Sequence, residues 1–64
     1  MKNKRGKSVA ERLQEEIKQA ESADATQREI LAIKALGAAD MAIEFNLITY
    51  NEWETYIDRL FKIM

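Results

Sequence analysis

The apolar positions of this chain fall into three periodic runs separated by short polar stretches. In the first, Val9, Leu13, Ile17 and Ala20 recur at spacings of four and three with Ala10 beside them, the one-sided pattern of an amphipathic helix. Glu16 intrudes on the edge of this stripe and narrows it, so this helix is expected to be the weakest element. The second run is apolar nearly all round. Leu31, Ala35, Leu36, Ala38, Ala39, Ala42, Ile43 and Phe45 cover one broad arc, while Ile30, Ile33 and Met41 lie opposite, interleaved with Lys34, Asp40 and Glu44. A helix with apolar residues on two faces normally occupies a central position. The third run places Tyr50, Trp53, Tyr56, Ile57, Leu60, Phe61 and Met64 on one face and Glu52, Glu54, Asp58, Arg59 and Lys62 on the other.

Start signals precede each run. Ser8 is followed three residues later by Glu11, Thr26 by Glu29, and Thr49 by Glu52. Each pair fits a capping box, in which the hydroxyl accepts a first-turn N–H and the glutamate reaches back to the cap residue's own N–H. The spacing therefore predicts helices over about 9–22, 27–45 and 50–63. Asn46 suits the left-handed residue that ends the second helix, because asparagine tolerates positive φ, and Leu47 and Ile48 are expected to pack under the turn. With no proline and glycine only at 6 and 37, few breakers oppose helix elsewhere. A fusion of the first two helices is the competing reading. It would put Asp24, Gln27 and Lys34 in an apolar seam, so the break is kept. The expected fold is all-α, a small three-helix antiparallel bundle in which the second and third helices form the hairpin.

Size and charge sharpen this picture. A chain of 64 residues forms one domain at most, here 8–64, and buries only a thin core. It has no cysteine and no histidine, which removes disulfides and the common zinc ligand sets. Neither a metal nor a cofactor is expected, so stability is left to regular helix packing or to association with another chain. Residues 1–7 carry Lys2, Lys4, Arg5 and Lys7 and no acid, and are expected to form a flexible basic tail. Residues 8–64 carry six cations and eleven carboxylates, a net of −5. The basic start is not followed by an uninterrupted apolar stretch, so neither a signal peptide nor a membrane span is expected and a cytoplasmic location is the default.

Candidate catalytic groups are sparse. No nucleophile stands near a base in sequence, no glycine-rich phosphate loop occurs, and Ser8, Thr26 and Thr49 serve better as caps, so an enzyme is not expected. Glu11, Glu15 and Glu16 read as a solvated helix face. The aromatic group Phe45, Tyr50, Trp53, Tyr56 and Phe61 has the spacing of core packing.

Two kinds of partner come into view. The run from Ala35 to Ile43, with Gly37 inside it, loosely resembles the turn of a helix-turn-helix DNA-binding domain. That resemblance implies a second helix split at Gly37, with the basic tail adding contacts to phosphate. The recognition helix it implies would present Asp40 and Glu44 and no Lys or Arg, a departure from the arginine-to-guanine contacts that read a major groove. The other reading starts from surplus apolar surface. Two short neighbours cannot easily cover both faces of the second helix, so Ile30, Ile33, Gly37 and Met41 are expected to meet another chain, with a homodimer as the simplest arrangement. The leading expectation is a small acidic helical module that binds a protein partner and modulates or inhibits it. By analogy, small regulators encoded by mobile elements have this size and composition. The alternative is a nucleic-acid-binding regulator that uses Lys2, Lys4, Arg5 and Lys7.

Overall fold

The computed structural model describes residues 8–64, which form three helices: α1 (Val9–Ser22), α2 (Ala25–Glu44) and α3 (Tyr50–Ile63). All three pack on one another, so the chain is a small all-α three-helix bundle. The basic tail at 1–7 lies outside the described residues.

Local sequence accounts for most of the helix ends. The Ser8 Oγ accepts the Glu11 N–H at 3.1 Å and the Glu11 carboxylate accepts the Ser8 N–H at 2.8 Å. Thr49 and Glu52 repeat the same two bonds at the start of α3. The expected capping box of Thr26 and Glu29 does not form. Asp24 caps α2 instead, its carboxylate accepting the Gln27 N–H at 2.9 Å, and the helix begins two residues earlier than expected. Ala23 and Asp24 are both extended, and aspartate is as good a cap as any residue. Thr26 is thus carried into the first turn. The Arg28 guanidinium donates to the Ala23 carbonyl at 2.9 Å and ties the joint together.

At the other end of α2, Asn46 adopts φ 61°. Its N–H reaches the Ile43 carbonyl at 3.0 Å, and the Leu47 N–H reaches Ala42 at 2.7 Å. This pair of bonds is the Schellman arrangement. The helix stops at Glu44, leaving Phe45 as the cap rather than the last helical residue.

The core differs in character from expectation. Its largest fully buried side chains are Ile17 of α1 and Leu60 of α3, while α2 contributes Ala32, Ala35, Ala39 and Ala42. Small residues on the central helix let its two neighbours approach closely. The first helix, expected to be the weakest, therefore supplies Leu13, Ile17 and Ala20 to the centre of the bundle. Ile48 and Tyr56 complete it. Phe45, Tyr50, Phe61 and Met64, expected on buried faces, are more than half exposed, and Leu47 faces solvent while Ile48 alone packs under the turn. At about 100° per residue, Phe61 is turned well away from the buried Leu60 and stays exposed.

Polar contacts set how the helices are aligned. Gln14 donates to the Tyr56 hydroxyl at 3.0 Å, and Arg59 grips Glu21 through two bonds at 3.1 and 2.8 Å. Both tie α1 directly to α3, and these two helices run in the same direction with α2 packed antiparallel against both. Trp53 Nε1 donates to Asp40 at 2.9 Å and fixes α3 on α2.

Candidate interaction surface

The surface that stands out is the side of α2 turned away from the core. Ile30, Ile33 and Met41 are 61%, 53% and 54% exposed. They belong to one helical stripe that runs through Gly37, directly opposite the buried alanines. All four residues expected to form a protein interface therefore share one accessible face. Lone exposed apolar residues are ordinary, whereas several in one stripe are the usual mark of an interaction site.

Gly37 has no conformational reason to be glycine. No glycine among the described residues has positive φ, and a Cβ built at Gly37 would meet nothing within 4 Å. The fold gains nothing from it, and glycine inside a helix costs about 0.5–1 kcal/mol relative to alanine. Its effect is to leave a flat step between Ile33 and Met41. The helix also runs unbroken through this position, so the turn implied by the helix-turn-helix resemblance is absent.

Charged groups border the stripe unequally. Glu29 and Asp40 lie along the flank nearer α3, Glu44 follows in line with the stripe at its C-terminal end, and Lys34 lies on the other flank. Beyond Asp40, the outer side of α3 continues with an open depression lined by Trp53, Glu54, Ile57, Asp58, Arg59 and Phe61. Tyr50 stacks obliquely against Trp53, their ring centres 5.6 Å apart. The Arg59 bond holds the Glu21 carboxyl below its ordinary range and in return raises the guanidinium. This pair lies between α1 and α3, away from the stripe.

Among the described residues, no helix is long and apolar enough to cross a membrane, and no group of three or more His, Cys, Asp or Glu is placed to hold a metal ion. Lys2, Lys4, Arg5 and Lys7, the candidate phosphate contacts, lie outside the described residues. Sequence reasoning singled out the α2 stripe but missed the exposed aromatic edge of α3. The surplus of apolar side chains on α3 was the signal: seven on one face exceed what a short helix can bury.

The fold and its surface define a small three-helix bundle with an apolar stripe on its central helix. Comparisons of the chain with family models, curated proteins and solved structures find no match.

Proposed function

We propose that this chain is a helical protein-interaction module that binds a protein partner through the outward face of α2 and modulates or inhibits that partner. The observation carrying this reading is the exposed stripe of Ile30, Ile33 and Met41 around Gly37, where the fold itself needs no glycine. Apolar side chains of this size contribute roughly 1.5–3 kcal/mol each when fully buried. A partner that covers them gains that energy, and the bundle does not. Self-association of two copies through the same stripe is the competing use of this surface.

The test is capture with the tagged full chain from its native cell, recovering protein and nucleic acid together. Wild type is compared with the double variant Ile33→Glu, Met41→Glu. The expected result is a specific protein retained by wild type and lost by the variant. Nucleic acid recovered equally by both, with no protein, would overturn the reading in favour of the basic tail.

A further inference from the structure

We propose that the occupant of this face is an amphipathic helix of a partner protein carrying a basic row along one flank, and not a second copy of this chain. The inference rests on the interaction-module reading and adds the chemistry of the partner. Its basis is charge. The stripe is bordered toward α3 by Glu29 and Asp40 and closed at its C-terminal end by Glu44, and the outer side of α3 adds Glu54. The cations of α3 are paired, Arg59 with Glu21 and Lys62 with Asp58 at 3.5 Å, and Arg28 is held at the α1–α2 joint on the Ala23 carbonyl. Lys34 is left on the far flank. A helix that lays apolar anchors into the stripe and presents lysine or arginine toward α3 meets complementary charge along its length.

A second copy fits less well. The full chain carries a net of only −1, so it is the charges bordering the stripe that oppose a second copy. In a symmetric antiparallel pair centred on Gly37, the flank with Glu29 and Asp40 faces its own image, and so does the flank with Lys34. Like charges then meet on both edges, which opposes association. The missing Cβ of Gly37 lets a backbone come close at the middle of the stripe whichever occupant is present, so charge decides between them.

The test uses the isotope-labelled full chain and two synthetic helical peptides of one apolar stripe, flanked by lysine in one and by glutamate in the other. The lysine-flanked peptide is expected to bind, with amide shifts over residues 30–44 and the outer side of α3, and more weakly as salt rises. The glutamate-flanked peptide is expected not to bind. Ile33→Glu, at an exposed site where the fold survives, weakens binding at least about tenfold. Glu44→Gln weakens it by about 1.5- to 5-fold, the range for an exposed ion pair. Equal binding of the two peptides would overturn the charge argument. Neither peptide binding, with the chain dimerising through Ile33 and Met41, would overturn the partner assignment while leaving the interaction-module reading in place. Neither binding, with no dimer, would remove both.

Discussion

Replacing Gly37 with alanine separates what the fold needs from what the surface is for. Gly37 lies in the middle of α2, exposed, without positive φ, and with open space where a Cβ would sit. Nothing in the bundle opposes a methyl group there. The substitution removes backbone freedom from the unfolded chain and improves helix propensity, which together favour folding by about 0.5–1 kcal/mol. For a domain of this size, 1 kcal/mol moves the melting temperature by roughly 4–8 °C, so Gly37→Ala should raise Tm by about 2–8 °C. The assay is thermal melting followed by circular dichroism at several protein concentrations, so that any self-association shows as a concentration-dependent Tm. The same methyl group stands at the step between Ile33 and Met41 and should weaken binding of the lysine-flanked peptide. A variant that melts higher but binds less well fits a glycine kept for the surface. A fall in Tm at every concentration would show that Gly37 serves the fold, and the reasoning about the stripe would lose its main support.

Further outcomes follow from the same structure. Asp24→Ala should destabilise the chain by about 1 kcal/mol in urea unfolding, whereas Thr26→Ala should be nearly silent, because Asp24 holds the cap. Ile17→Ala should cost about 2–5 kcal/mol and lower Tm by at least about 8 °C, since Ile17 is fully buried; a loss below 1 kcal/mol would mean that α1 is not anchored as described. Glu21→Gln should cost about 0.2–1 kcal/mol at neutral pH, given the partial exposure of the pair with Arg59. Because the folded carboxyl titrates below the ordinary glutamate value of 4.5, its contribution is present above that pH and is lost as pH falls through the lowered value. The melting curves of wild type and Glu21→Gln should therefore differ at pH 7 and converge in acid.

Much of the fold was legible because its signals are local. Two capping boxes, Asn46 and the three apolar periods specify where helices begin and end without reference to distant residues. The start of α2 was misread because Thr26 with Glu29 and Asp24 with Gln27 N–H are competing local solutions two residues apart. The sequence alone does not say which side of α2 the neighbours choose. Pattern reasoning favours burying the large side chains, yet the bundle buries alanines on α2 and supplies its bulk from Ile17 and Leu60. That preference lies in how closely three helices approach, a tertiary property. The candidate site was legible to the extent that Ile30, Ile33, Gly37 and Met41 share a helical face. The carboxylate border became meaningful only once α3 was placed beside Asp40 by the Trp53 bond.

Sedimentation equilibrium of the full chain at micromolar concentration, alone and with the lysine-flanked peptide, distinguishes a foreign helix from a second copy on the α2 stripe. A mass of 7.4 kDa is expected alone, with a one-to-one complex with the peptide and no complex for Ile33→Glu. A dimer alone that the peptide does not disturb, or a mass of 7.4 kDa unchanged by the peptide, would contradict a foreign helix on this stripe.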